Sequence, residues 1–152
     1  MTATNESYQY IECGLTNVYL VNGYRFVDSP TGRQVIITEI DGLHEAIGRL
    51  LLHEKKDLSG DEIRFLRHEM LMSQVVLARL LDVSEQAINR WERGKNSIPK
   101  PAESLIRLLY AEHIKEDTSE IQKILRRIAD LEEGLDDELM LQETDQEWKL
   151  AA

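Results

Sequence analysis

The stretch Ser73-Gln74-Val75-Val76-Leu77-Ala78-Arg79-Leu80-Leu81-Asp82-Val83-Ser84-Glu85-Gln86-Ala87-Ile88-Asn89-Arg90-Trp91-Glu92-Arg93-Gly94 decides the fold. Ser73 and Ser84 are N-cap residues, each followed by apolar residues at helical spacing: Val76, Leu77, Leu80 and Leu81 after the first, Ile88 and Trp91 after the second. Gly94 stops the second helix. Two short helices that cross steeply need a small side chain at closest approach, which Ala78 supplies. They also need apolar facing stripes, supplied by Leu77, Leu81, Val83, Ile88 and Trp91. The turn between them must reverse within a few residues. Asp82 stands where such turns favour glycine, and its short polar side chain lets it adopt left-handed backbone more easily than most residues.

Working outward, Ser59 with Glu62 three residues on predicts a capping box opening a helix through Ile63, Leu66 and Met70. Pro99 and Pro101 bracket a loop ahead of a helix whose stripe reads Leu105, Leu108 and Leu109. Beyond Asp117, the spacing of Ile121, Leu125, Ile128, Leu135 and Leu139 predicts an acidic C-terminal helix that pairs with a second copy or folds back, with disorder past Leu141. Upstream, Tyr8–Glu12, Asn17–Val21, Tyr24–Val27 and Gln34–Glu39 read as strands of a small antiparallel sheet. Asn22-Gly23 gives a type I′ hairpin signal between two of them. Leu43, Ala46, Ile47, Leu50 and Leu51 then predict a helix over residues 42–53. The expected class is α+β: a β-rich module over 1–56, an all-α domain over 57–113 and an acidic helical tail over 114–152.

The polar face of the helix after Ser84 presents Glu85, Gln86, Asn89 and Arg90. Arg can bond guanine O6 and N7, Gln and Asn can bond adenine N6 and N7, and Glu can accept from cytosine N4, so these four are candidate base readers in a major groove. Ser73, Gln74, Ser84, Arg93, Lys95, Asn96 and Lys100 are candidate phosphate contacts.

Leu66 to Pro99, with Ser73-Gln74, Leu77-Ala78, Val83-Ser84 and Arg90-Trp91-Glu92-Arg93-Gly94-Lys95, resembles the Xre family of helix-turn-helix regulators related to phage Cro and lambda-type repressors. The resemblance implies a DNA-binding transcriptional regulator, a repressor acting as a homodimer on double-stranded operator DNA, with base contacts at Gln86 and Arg90. A β-rich module ahead of such a domain resembles the MqsA/YgiT-type antitoxins, which implies a toxin or other protein as partner of the N-terminal module. Those relatives carry a zinc module built on two Cys-x-x-Cys pairs. Here only Cys13 is present, so no metal and no cofactor are expected.

The formal net charge of -10 argues against an acidic partner until it is partitioned. Residues 1–56 hold 7 acids and 5 bases, 57–113 hold 9 and 8, and 114–152 hold 12 and 5. The acidity therefore belongs to the tail, and the central helices are near neutral. A single cysteine fits a reducing compartment, and no apolar run reaches the ~20 residues of a membrane span, so a cytoplasmic protein with no membrane partner is expected. His44, His53, His68 and His113 form no ligand spacing with Cys13. Glu132-Glu133 and Asp136-Asp137-Glu138 read as a solvated face, and Tyr8, Tyr10, Tyr19 and Tyr24 as cross-strand packing. With no nucleophile and base set together, an enzyme is not expected. The alternative function is an adaptor that keeps the helical fold without reading DNA.

Overall fold

The computed structural model describes residues 6–116, 121–131 and 138–151. The chain forms two compact units, Met1–Ile47 with Asp136–Ala152 and Gly48–Leu135. These divisions differ from the sequence boundaries at 56 and 113. The elements run β1 (Tyr8–Gln9), β2 (Val18–Leu20), β3 (Tyr24–Ser29), β4 (Gly32–Ile37), α1 (Ile40–His53), α2 (Gly60–Glu69), α3 (Gln74–Leu81), α4 (Glu85–Glu92), α5 (Lys100–His113), α6 (Ile121–Asp130), β5 (Leu139–Thr144) and β6 (Glu147–Leu150). Strands and helices together make the class α+β, with a helical domain following a β-rich region.

The first unit holds a four-stranded sheet in the order β1-β2-β5-β6 and a separate two-stranded sheet, β3-β4. The expected disorder past Leu141 is corrected here: β5 and β6 form a hairpin, and β5 lies parallel to β2 with Val18 opposite Leu139 and Leu20 opposite Leu141. Burial alternates at the start of β5, so Leu139 and Leu141 enter the core with Val18, Leu20, Leu15, Leu43 and Ile47, all fully buried, while Met140 between them is half-buried. Leu135, Glu132-Glu133 and Asp136-Asp137 lie outside the described residues, as do the side chains of Ile121 and Leu125.

Asn22-Gly23 is also corrected, since it joins no hairpin. β2 pairs with β1 and β5, and β3 with β4. The Asn22 amide donates to Glu143 O at 3.1 Å and its Oδ1 accepts from Glu143 N at 2.6 Å, taking the place of a strand neighbour. Gly23, at φ +78°, lies so close to Trp148 that a Cβ would meet its ring at 2.5 Å. The tight turn of this region is instead Pro30-Thr31, between the paired Ser29 and Gly32. Tyr8, Tyr24 and Phe26 pack ring to ring at 5.3–5.9 Å between centroids, and the Tyr8 hydroxyl donates to Glu12.

In the second unit the buried set is Leu51, Leu52, Ile63, Phe65, Leu66, Leu77, Ile88, Trp91, Ile106 and Tyr110. Two expected stripes change. On α3 only Leu77 and Ala78 are buried, while Val76 and Leu80 are exposed. On α5 the inner face is Glu103, Ile106, Arg107, Tyr110 and Ala111, and Leu105, Leu108 and Leu109 sit half-buried. The reason lies at the end of α1, whose last carbonyls have no partner within the helix. Arg107 donates to Leu51 O, to Leu52 O at 3.2 Å, to Lys55 O at 2.7 Å and to Lys56 O at 3.0 Å. Glu103 balances it at 3.3 Å and accepts from Leu58 N at 2.9 Å. Burial lowers the Arg107 pKa and the Glu103 carboxylate opposes that shift. A cation at a helix C-terminus satisfies carbonyls that a leucine would leave unpaired. Helix α6 is tied to its own unit by Arg127 on Glu54 at 2.5 Å and Lys56 Nζ on Leu131 O at 2.5 Å, the folded-back arrangement.

Candidate nucleic-acid interface

The site is built on α3 and α4, and its geometry starts from their caps. Ser73 Oγ accepts from Val76 N at 3.1 Å and Ser84 Oγ from Ala87 N at 3.1 Å, so each serine begins its helix as its residue type dictates. Ser59 and Glu62 complete the capping box on α2. Asp82 closes α3 at φ 55°, ψ 47°, in the left-handed region, and Val83 N bonds back to Ala78 O at 3.0 Å. Gly94, at φ 71°, ends α4, with Lys95 N on Arg90 O at 2.9 Å.

What holds α4 in place is a buried ion pair that the sequence did not disclose. Arg67 of α2 grips Glu92 of α4 with two bonds, Nε to Oε2 at 2.6 Å and an amino nitrogen to Oε1 at 2.8 Å. A third Arg67 bond reaches Met72 O at 2.9 Å, and Gln74 Nε2 donates to Glu92 Oε1 at 3.1 Å. One carboxylate thus ties the end of α2, the start of α3 and the end of α4. Gly60 completes the fit, because a Cβ there would meet Trp91 O at 2.4 Å and Glu92 O at 2.6 Å.

With Ile88, Trp91 and Glu92 buried, the opposite face of α4 is left to solvent. Gln74, Glu85, Gln86, Asn89, Arg90, Arg93 and Lys95 line one open groove of about 410 Å³. Three cations face one carboxylate there, and none of the four takes part in an ion pair among the described residues. The groove therefore carries a net positive charge inside a chain of net charge -10. Its four α4 side chains include an amide pair, an arginine and a carboxylate. All four base-reading candidates and three phosphate candidates, Gln74, Arg93 and Lys95, are brought together. Ser73 and Ser84 stand exposed at the helix starts, each accepting its capping bond and keeping its O–H to donate.

Asn96 and Lys100 are not brought to that groove. They line a separate cavity of about 500 Å³ with Asp57, Leu58 and Trp91. Lys100 is bonded to Asp57 at 2.9 Å and Glu103 at 3.0 Å. Burial alone would lower the Lys100 pKa, but the two carboxylates outweigh it and raise it, while the bond from Lys100 lowers that of Asp57. The lysine's charge is thus matched within the fold.

Among the described residues no group of three His, Cys, Asp or Glu side chains could hold a metal ion, and no helix is long and apolar enough to cross a membrane. No curated protein and no solved structure matches the chain. Residues 63–103 match the family model described as Helix-turn-helix, so the segment from α2 into α5 is a helix-turn-helix domain.

Proposed function

We propose that the chain is a sequence-specific transcriptional repressor that docks α4 in the major groove of operator DNA. The observation that carries this reading is the unpaired cationic and amide face of α4. Gln86, Asn89, Arg90 and Glu85 read base edges, and Ser73, Gln74, Ser84, Arg93 and Lys95 contact phosphates. Asn96 and Lys100 continue the backbone contact only if Lys100 leaves its carboxylates. A homodimer would place two such helices on half-sites ~34–36 Å apart.

The test is titration of DNA from upstream of the protein's own gene against a scrambled duplex at several salt concentrations. Arg90→Ala should cost about 1–3 kcal/mol on the cognate duplex alone, whereas Arg93→Ala should weaken both duplexes and reduce the salt slope by about one. Equal losses on both duplexes for Arg90→Ala would sink the base-reading assignment. Absence of any salt-sensitive complex at micromolar protein would favour the adaptor.

A second reading adds a protein partner for the first unit, where the β3-β4 ribbon leaves Phe26 on one face and Ile36 on the other, each 41% exposed. By resemblance that partner is a toxin and the chain an antitoxin that represses its own gene. Co-expression with the adjacent open reading frame should give a stable complex that Phe26→Ser weakens; independent elution of the two proteins counts against it.

A further inference from the structure

The four-stranded sheet ends on β6, whose outer edge meets no strand among the described residues. Across β5, Thr144 faces Glu147, Glu143 faces Trp148, Gln142 faces Lys149 and Leu141 faces Leu150. Asp145 and Gln146, at φ 51° and 65°, make the two-residue turn. The pair closing such a turn is hydrogen-bonded, so Glu147 and Lys149 bond inward to β5 and Trp148 and Leu150 turn their N–H and C=O to the outer edge. Ala151 N, bonded to Met140 O at 2.8 Å, continues the same alternation.

An open edge is a template for another strand, and the side chains decide which strand fits. Glu147 and Lys149 lie exposed on one face of β6. Their cross-strand neighbours, Thr144 and Gln142, are uncharged, and neither Glu147 nor Lys149 takes part in an ion pair among the described residues. Trp148 points the other way, buried, with its indole N–H on Thr38 O at 2.9 Å, so the strand is held in place. A single edge lysine repels other strands. A glutamate and a lysine two residues apart instead complement their own sequence when it runs antiparallel.

Four symmetric registers are available to two copies of β6, one centred on each residue. Centred on Glu147, two glutamates face each other, and centred on Lys149, two lysines do. Centred on Leu150, Lys149 faces Ala151 and the charges find no match. Centred on Trp148, the two tryptophans exchange both backbone bonds, Glu147 faces Lys149 of the second copy, and Lys149 faces its Glu147. The charged pairs then fall at non-hydrogen-bonded positions, where side chains approach most closely. We propose that the chain dimerises by antiparallel pairing of β6 with β6 of a second copy in this register, making one eight-stranded sheet across the two-fold axis. The proposal does not rest on the DNA reading, and its test contains no DNA.

Sedimentation equilibrium of the full chain at high micromolar concentration should give a dimer. Glu147→Lys and Lys149→Glu should each raise the dissociation constant by ~10-fold or more, because two attractive pairs become repulsive. The double exchange E147K/K149E should restore wild-type association. An equimolar mixture of the two single variants should form a heterodimer, since their edges are complementary, which a folding defect would not produce. A monomeric wild type, a dimer indifferent to both single reversals, or a mixture that stays monomeric would each overturn the proposal.

Discussion

At the residue scale, Arg67 and Glu92 support the groove on α4 without lining it. Both are buried, they share two short bonds, and Gln74 hangs on the same carboxylate. Removing one partner strands the other charge, so Glu92→Ala should lose about 3–5 kcal/mol in urea denaturation. The paired change R67M/E92L should recover most of that stability while leaving Gln74 unanchored and DNA binding weak. Equal DNA affinity in that variant and in wild type would show that the anchor is dispensable. Glu92 stands in the motif that carries the family resemblance, but its partner stands 25 positions earlier and nothing local discloses the pair. The caps, by contrast, were legible, because a serine three residues from its N–H partner is a local feature. Tyr8 gives a second local reading. Its phenol is pushed up to about 12 by burial first and then by the bond to Glu12 and that carboxylate's charge. The folded-state value lies above the unfolded one, so the stabilisation is complete below pH ~10 and is lost as the pH rises through about 12. Ultraviolet titration should show a late-titrating phenol that is absent in Tyr8→Phe.

At the element scale, helices α2, α3 and α4 followed from their serine caps, while the stripes of α3 and α5 show where apolar spacing misleads. A leucine stripe is a statement about water. The inner face of α5 answers to the carbonyls at the end of α1, which only the fold places there. Close approach is equally invisible before the elements meet. Gly60 begins α2 against the backbone of α4, where a Cβ would press on two carbonyl oxygens at 2.4 and 2.6 Å. Gly60→Ala should therefore cost about 1–3 kcal/mol by overpacking and lower the thermal midpoint. The displacement falls on the helix that carries Gln86 and Arg90, so cognate DNA binding should weaken more than non-specific binding. An unchanged midpoint would mean that α4 moves aside freely.

At the scale of the whole molecule, the α+β class and the helical centre could be read from sequence, and the fate of the tail could not. Residues 139–141 find their partners at residues 18–20, and no short-range pattern carries such a pairing. Deleting residues 138–152 would remove two of the four strands of the sheet, leaving Leu15, Val18 and Leu20 without Leu139 and Leu141. Amide exchange should then show β1 and β2 unprotected while α2 to α5 keep their protection. Retained protection in β2 would mean that the sheet stands without β5. Any gain in non-specific DNA affinity from removing acidic residues has to be read beside that loss of structure. The parallel pairing of β2 with β5 has a temporal consequence too. During synthesis the ribosome makes the whole helical unit before β5 exists, and closing so long a loop is the slow kind of folding event. Helices α3 and α4 are thus complete on the nascent chain while Leu15, Val18 and Leu20 still wait for their neighbours, and during that interval the apolar side of β2 stands uncovered.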